Sequence, residues 1–226
     1  MGLMHTPRTL YAIGKGLARR RQDGTSAALL GGIGEANPFV SECRAGLFDC
    51  DYQLHMNNAS YLLHAEYARW ELCAYNGLMT SMYQDKVGFM VGGTAVRFRR
   101  EIRPAFRKFE VHTFIAHIDE RHMWLYHTFR YPPTEKDPGR IRAQVVCQGL
   151  AVQNRTVLDP RQYLVNTVGI NAEVVEEMCH VKSTTTSSSD KNAEDVMAEL
   201  MDRYSDMEVK MKEASTKDDE RLSKKE

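Results

Sequence analysis

The stretch that decides the fold is Leu47–Leu62, which reads LFDCDYQLHMNNASYL. It places Asp49 and Asp51 at the end of a predicted strand and then continues through a polar loop. Asn57 or Asn58 can cap the helix that follows, and the unpaired backbone amides in the first turn of that helix favour negative charge. These amides are suited to bind a carbonyl oxygen and to stabilise the oxyanion that forms on attack, while a nearby carboxylate supplies a nucleophile or activates water.

The residues after this stretch predict one long amphipathic helix, Asn58–Tyr75. Its apolar side chains recur at spacings of three and four, which is the period of an α-helix. Asn76 and Gly77 come next, and this pair is typical of a helix end. The apolar stripe consists of Tyr61, Leu62, Ala65, Ala68, Leu72 and Tyr75.

Strand segments lie on both sides of the helix. One strand is predicted before it, at Cys43–Asp49, and the alternation of apolar and polar residues is clearest in the second and third segments after it. Asp119–Arg121 is short enough to join these two segments as a hairpin. The segments after the helix are Gly88–Arg99, Lys108–Ile118, Met123–Tyr131 and Ile141–Gln153. An antiparallel meander with one helix covering its apolar face is an α+β arrangement.

Three motifs together resemble a known family. They are D-x-D-x-x-x-H-M-N-N-x-x-Y-L from Asp49, E-x-A-R at Glu66–Arg69, and Arg103-Pro104 with the following Val111 and Thr113. These motifs resemble the hotdog-fold thioesterases of the 4-hydroxybenzoyl-CoA thioesterase class. Within that class, the chain is most similar to the thioesterase superfamily member 6 branch. The resemblance covers Arg44 to about Gln153 and leaves both termini outside.

The resemblance implies a hotdog fold, in which an antiparallel sheet wraps around one long central helix, and hydrolysis of an acyl-CoA to free acid and CoA. Asp51 matches the family's catalytic aspartate, which acts as nucleophile or general base on the thioester carbonyl. Asn58 matches the position whose backbone amide polarises that carbonyl. His55 and Asn57 occupy the H-x-N positions, and we expect them to organise the loop beside the substrate. Many family members have Gly where Leu54 stands, so we expect the loop's backbone to differ here.

The family also implies partners and cofactors. Its members form homodimers by joining their sheets side by side, with both subunits lining each active site, and this pairing covers an exposed sheet edge. Water is the second substrate, and no redox cofactor is implied. The five cysteines are scattered and have neither metal-ligand nor C-x-x-C spacing, so we predict reduced thiols and no metal site.

Each candidate residue has a structural alternative. Asp51 can simply bond to loop amides, and we expect Asp49 to be structural. Glu66 and Arg69 lie three apart on a helix, so they can form a surface pair, although Glu66 can also face a dimer partner's active site. For the whole protein, the main alternative is a non-catalytic acyl-CoA- or lipid-binding protein at a membrane. Another is an interaction module whose C-terminal helix recruits a partner.

The charge distribution gives no reason to expect a nucleic-acid partner. The chain has 30 basic and 30 acidic residues, and no aromatic-interleaved binding motif accompanies its one basic run. Within that run, we predict that Arg103 and Arg107 bind the phosphates of CoA, because arginine suits phosphate in charge and geometry. The alternative is a solvated strand face. No apolar run approaches the length of a membrane-spanning helix. The basic run consists of Arg97, Arg99, Arg100, Arg103, Arg107 and Lys108.

The two ends of the chain differ in composition from its centre, and three regions follow: a basic targeting or tether segment at 1–40, the hotdog domain at 41–165 and an extension at 166–226. The acid-poor, arginine-bearing start predicts a mitochondrial transit peptide. M-G-x-x-x-T instead fits N-myristoylation, with Arg19–Arg21 as a second, electrostatic membrane signal and a cytoplasmic or membrane-associated protein as the result. A disordered tail is the third alternative, because Pro7, Gly14 and Gly16 interrupt a helix.

The C-terminal extension has three predicted parts. They are a short helix at Asn171–His180, a Ser/Thr linker at Ser183–Ser189 and an amphipathic helix at Ala193–Lys212. Because a flexible linker precedes it, we expect the last helix to contact a partner or to pack on itself and not to belong to the core.

Overall fold

The computed structural model describes residues 2–25, 28, 31–103, 107–135, 137 and 139–179. Its helices are α1 (Gly2–Asp23), α2 (Asn58–Asn76), α3 (Leu78–Asp85), α4 (Pro160–Tyr163) and α5 (Ala172–Cys179). Its strands are β1 (Phe39–Arg44), β2 (Gly88–Phe98), β3 (Lys108–Ile118), β4 (Met123–Arg130), β5 (Ile141–Gln153) and β6 (Thr156–Val157). The strands pair antiparallel in the order β1-β3-β4-β5-β2, with β6 beside β5. Pro104, the Ser183–Ser189 linker and the predicted helix at Ala193–Lys212 lie outside the described residues.

One face of the sheet and the inner face of α2 form the core. Phe109 and Val111 of β3 and Val145 of β5 are completely buried, and they belong to the same hydrophobic cluster as Ala65 and Ala68 of α2. The short side chains of the two alanines let the helix lie close to the sheet. The predicted α+β architecture is confirmed, and α2 is its central helix.

The predicted helix and the four strands after it match the structure to within one residue at each end. Gly77 ends α2 at φ 89°, a left-handed conformation that favours glycine. Cys43–Asp49 was expected to be a strand, and this is wrong for most of its length, because β1 already ends at Arg44 and Leu47–Asp49 form a 3₁₀ turn. The turn forms because the Asp49 carboxylate accepts the backbone N–H of Gly46 at 2.8 Å.

The N-terminal segment is a continuous helix that packs on the outer face of α2. Neither Pro7, Gly14 nor Gly16 interrupts α1, so the prediction of a broken helix or disordered tail is wrong for these residues. Gly16 has a packing role, since a Cβ atom built there would lie 2.2 Å from the backbone oxygen of Glu71. Helices can form against their local propensity when tertiary contacts support them. The targeting role of residues 1–40 stays a prediction.

Two of the three arginines that were expected to face a membrane contact the protein itself. Arg19 donates to the Val40 carbonyl at 2.8 Å, and its guanidinium lies 4.4 Å from the centre of the Phe39 ring. Arg20 donates to the Tyr75 carbonyl at 2.8 Å, near the C-terminal end of α2. The cluster therefore contributes to the attachment of α1.

The hydrophobic core continues beyond residue 165. In α5, which begins one residue after the predicted start at Asn171, Val175 and Met178 are buried in the main cluster. The Met178 carbonyl also lies 2.8 Å from His117 Nδ1 on β3. The core thus includes residues after 165, and the division into a domain at 41–165 and an extension at 166–226 stays a prediction. Among the described residues, no helix is both long and apolar enough to cross a membrane.

Candidate functional site

A short loop between the 3₁₀ turn and α2 carries the candidate carboxylate. Asp51 is exposed, and its Oδ1 atom accepts the backbone N–H groups of Gln53 at 2.9 Å and His55 at 3.3 Å. The Asp51 N–H in turn donates to the His55 carbonyl at 2.9 Å. Both side-chain bonds use the same oxygen, and no hydrogen bond in the described part of the chain uses Oδ2. The loop thus orients the carboxylate and leaves one of its oxygens for a ligand.

Leu54 has an unusual backbone conformation. Its φ angle is 58°, in the left-handed region that favours glycine, and its N–H donates to the Asp51 carbonyl at 3.1 Å. We expected a side chain at this position to change the path of the loop. Instead, the leucine adopts a conformation that a glycine would adopt without strain, so the loop is compatible with the family's usual residue.

Of the two predicted caps, Asn57 and not Asn58 is the N-cap of α2. Its side-chain oxygen accepts the Ser60 N–H at 2.9 Å. Its backbone N–H and its Nδ2 both donate to the Asp49 carbonyl, at 2.9 and 3.1 Å. Asn58 is the first residue of the helix and is exposed. Its amide belongs to the first turn, where backbone donors have no partner within the helix.

His55 connects the loop to the segment after β2. Its Nε2 lies 3.3 Å from Glu101 Oε2, and Glu101 also accepts Arg103 Nε at 2.7 Å. The bond from Arg103 holds the pKa of Glu101 below its ordinary value. The Met56 N–H donates to the Ile102 carbonyl at 2.9 Å, which fixes the same connection through the backbone.

The predicted phosphate-binding arginines gather around Tyr131. The Arg103 N–H donates to the Tyr131 hydroxyl at 3.1 Å. The guanidinium of Arg107 lies 4.0 Å from the centre of the Tyr131 ring, and that of Arg142 lies at 4.6 Å. Because Glu101 joins Arg103 to His55, this basic group is connected to the candidate catalytic loop.

A family model described as the thioesterase-like superfamily matches residues 46–204. The chain belongs to this superfamily. The match contains the whole Asp51–Asn58 loop, so the candidate residues lie in the part that defines the family.

Curated relatives of this thioesterase-like chain agree with the predicted branch. Protein THEM6 of Danio rerio is 33% identical over 105 residues, covering 46% of this chain and 50% of the relative. Protein THEM6 of Drosophila melanogaster is 33% identical over 75 residues, covering 33% and 38%. The chain thus spans half or less of the length of these relatives. The resemblance to the thioesterase superfamily member 6 branch is confirmed.

A solved structure confirms the fold. The crystal structure of the probable thioesterase YbaW from Escherichia coli superposes with a TM-score of 0.51 at 17% identity, covering 62% of this chain and 98% of that one. The predicted hotdog fold is confirmed, with the antiparallel sheet curled around a central helix. The family match and the fold place the chain among thioesterase-like hotdog proteins.

The thioesterase-like domain also contains a buried cluster around Asp49 that the sequence did not predict as a group. The Asp49 side chain accepts Arg8 Nη1 at 2.6 Å and lies 3.5 Å from His64 Nε2. Burial alone raises the pKa of Asp49, but the nearby His64 and hydrogen bonds from Arg8 and the Gly46 N–H hold it well below its ordinary range. One sequence signal was available: Arg8, Lys15 and Arg19 recur at intervals that place them on one helix face.

A cavity of about 300 Å³ lies between α2 and the sheet. Glu66 and Arg69 line it without an ion pair between them: Glu66 lies 3.5 Å from His5 Nε2, while Arg69 donates to Cys147 Sγ at 3.1 Å. The predicted Glu66–Arg69 surface pair is therefore wrong. The remaining lining is mostly apolar and comes from α2, α3, β2, β3, β4 and β5, so no local motif could reveal it. It includes Trp70, Cys73, Phe89, Met90, Val91, Met123 and Leu125.

Proposed function

We propose that this chain is an acyl-CoA thioester hydrolase that releases free acid and CoA. The observation that carries the proposal is the anchored carboxylate of Asp51. Two loop amides hold its Oδ1, and its Oδ2 accepts no hydrogen bond from the described residues. The loop that holds it leads directly into Asn57, the cap of α2, so an attacking group and an oxyanion-binding helix terminus adjoin in the chain.

In this proposal Asp51 has one of two roles. As a general base, Oδ2 takes a proton from water while the water oxygen attacks the thioester carbonyl carbon. As a nucleophile, Oδ2 attacks that carbon and forms an anhydride, which water then hydrolyses. In both cases the negative charge develops on the carbonyl oxygen, where the Asn58 amide stabilises it. The carbon–sulfur bond then breaks, and CoA leaves as a thiolate that takes up a proton.

Substrate binding is assigned to two regions of the domain. Arg103 and Arg107 bind CoA phosphates, supported by the exposure of both arginines and by the attachment of the Arg103 backbone and the Arg107 guanidinium to Tyr131. The fatty or aromatic acyl group occupies the mostly apolar cavity beneath α2, since pockets for such groups have apolar walls with few polar residues. His55 and Asn57 hold the loop that carries Asp51.

A homodimer belongs to the same proposal. Strand β2 is an edge of the sheet, 11 residues long, and Met90, Val91 and Phe98 on it are exposed. Long apolar edges commonly pair with another chain. Pairing of β2 with its copy would continue the sheet and cover these side chains.

The test is a panel of acyl-CoA substrates assayed by release of free thiol. We expect turnover by the wild type and a loss of about 10²- to 10⁴-fold in kcat for Asp51→Asn, the range for a lost general base. Glu120→Gln is the matched control, because it removes an exposed carboxylate from the β3–β4 hairpin. Turnover of no substrate, or full activity in Asp51→Asn, contradicts the proposal.

A second candidate is a non-catalytic acyl-CoA- or lipid-binding protein at a membrane. It is favoured by the two loop amides on Asp51, because a purely structural aspartate makes the same bonds. Binding of acyl-CoA without thiol release, unchanged in Asp51→Asn, would support this candidate over the hydrolase.

A further inference from the structure

Asp49, two residues before Asp51, is a carboxylate inside the protein. Its side chain is 2% exposed, and three groups surround it. The Gly46 N–H donates to Oδ2 at 2.8 Å, Arg8 Nη1 donates to Oδ1 at 2.6 Å, and His64 Nε2 lies 3.5 Å from Oδ2. A buried charge is stable only when it is paired and hydrogen-bonded. Among these groups, Arg8 alone is a permanent cation.

The backbone of Asp49 supports the start of the central helix. Its carbonyl accepts both the N–H and the side-chain Nδ2 of Asn57. The Asn57 oxygen then accepts the Ser60 N–H and so caps α2. A movement of Asp49 would therefore move the cap and, with it, the amide of the adjoining Asn58.

Contacts between α1 and α2, outside the loop that contains Asp49, hold Arg8 in position. Arg8 lies on α1, which attaches to α2 through a second buried carboxylate, Glu71. Lys15 Nζ lies 3.1 Å from Glu71 Oε2, and Arg19 Nη1 lies 3.5 Å from Oε1. Gly16 permits the close approach of the two helices. The attachment of α1 thus has its own contacts, and Arg8 extends from it to the candidate site.

We propose that α1 is a working part of the active site and that Arg8 is its positioning residue. Arg8 acts through Asp49, whose carbonyl holds Asn57, to fix the amides that receive the substrate's oxyanion. This inference rests on the proposed hydrolase function. It predicts that loss of Arg8 disorders the loop and the start of α2 while the sheet and the cavity keep their structure.

The test compares Arg8→Gln and Arg8→Lys with Arg21→Gln in the full chain. Arg21 is the control, since it lies exposed on the same helix and has no ion pair among the described residues. The first readout is hydrogen exchange of the Asn57 and Ser60 amides, with β4 amides reporting global stability. We expect exchange at Asn57 and Ser60 to accelerate about tenfold or more in Arg8→Gln with β4 unchanged, because local openings are independent of global unfolding. Arg8→Lys, which restores a cation, should recover part of the protection.

The second readout is steady-state kinetics with an acyl-CoA that the wild type hydrolyses. We expect kcat to fall about 10- to 100-fold in Arg8→Gln, in line with a small misplacement of the reacting groups, while KM changes less than about threefold. Arg21→Gln should keep wild-type kinetics. If the Asn57 and Ser60 amides exchange equally fast in Arg8→Gln and wild type, the inference is wrong whatever the kinetics. If the β4 amides accelerate as much as these two, Arg8 contributes to global stability alone and the inference is also wrong.

Two outcomes separate this inference from the proposed function. If the wild type hydrolyses no thioester, the hydrolase proposal fails, while hydrogen exchange still decides whether Arg8 fixes the loop. If Arg8→Gln does not fold, Arg8→Gln/Asp49→Asn replaces it, because this pair removes the buried carboxylate charge together with its cation. The same acceleration at Asn57 and Ser60 is then expected, and its absence contradicts the inference.

Discussion

At the residue scale, Leu54 has a backbone conformation that costs a leucine about 1–2 kcal/mol relative to the right-handed region. Its side chain is 62% exposed, so little packing offsets this cost. We expect Leu54→Gly to be about 1 kcal/mol more stable to unfolding than Leu54→Ala, since alanine retains the strain and glycine does not. Urea unfolding of the two variants measures the difference. Equal midpoints would show that the loop relaxes around this residue.

A second prediction at the residue scale concerns Asp49 and the dependence of folding stability on pH. Its pKa in the folded protein lies below the value of about 3.9 that an aspartate has when unfolded. A depressed carboxyl pKa contributes stability that is fully present above the unfolded value and is lost as the pH falls toward the folded one. We therefore expect the stability difference between wild type and Asp49→Asn to be constant from pH 7 to about pH 5 and to shrink below about pH 4. Urea titrations across this pH series test it, and a difference that does not shrink between pH 5 and pH 2 contradicts it.

At the scale of elements, the sequence predicts what local periodicity determines and misses what distant contacts determine. The long helix and the strands from β2 to β5 follow from their own residues, as does the loop that joins Asp51 to the cap. By contrast, α1 depends on partners far along the chain, because 41 residues separate Arg8 from Asp49 and 56 separate Lys15 from Glu71. The cavity is likewise missed, because its lining comes from six elements that are distant in the sequence. From composition alone, α1 therefore resembles a disordered tail.

Two glycines of α1 test whether this helix belongs to the fold. At Gly14 a Cβ atom meets open space, whereas at Gly16 it would lie 2.2 Å from the Glu71 oxygen. We expect Gly14→Ala to stabilise the protein by about 0.5–1 kcal/mol through helix propensity. Gly16→Ala should destabilise it by about 1–3 kcal/mol, because α1 must move away from α2. Thermal or urea unfolding compares the two changes directly. Similar effects at both positions would mean that α1 does not pack on α2 in solution.

At the scale of the whole molecule, basic residues on one face of α1 pair with buried carboxylates. Arg8, Lys15 and Arg19 meet two buried carboxylates, so removal of the segment would leave Asp49 and Glu71 without their cations. The predicted mitochondrial or myristoyl address remains a prediction, and the mass of the mature N-terminus decides it. A cleavage after α1 would conflict with these ion pairs, whereas acylation at Gly2 would leave them in place.

The proposed dimer is the remaining property of the whole molecule, and its interface is the edge strand β2. Two-fold pairing of β2 with its copy covers Met90 and Val91, so lysines at these positions oppose pairing by placing charges at the buried edge. We expect the wild type to sediment as a dimer and Met90→Lys/Val91→Lys as a monomer. Tyr83→Lys is the control, since Tyr83 is an exposed large side chain on α3 and not on the edge strand. Sedimentation velocity over a range of concentrations measures the outcome. A monomeric wild type, or a variant that still dimerises, would rule out pairing through β2, because charged side chains on an edge strand prevent it from pairing with another chain.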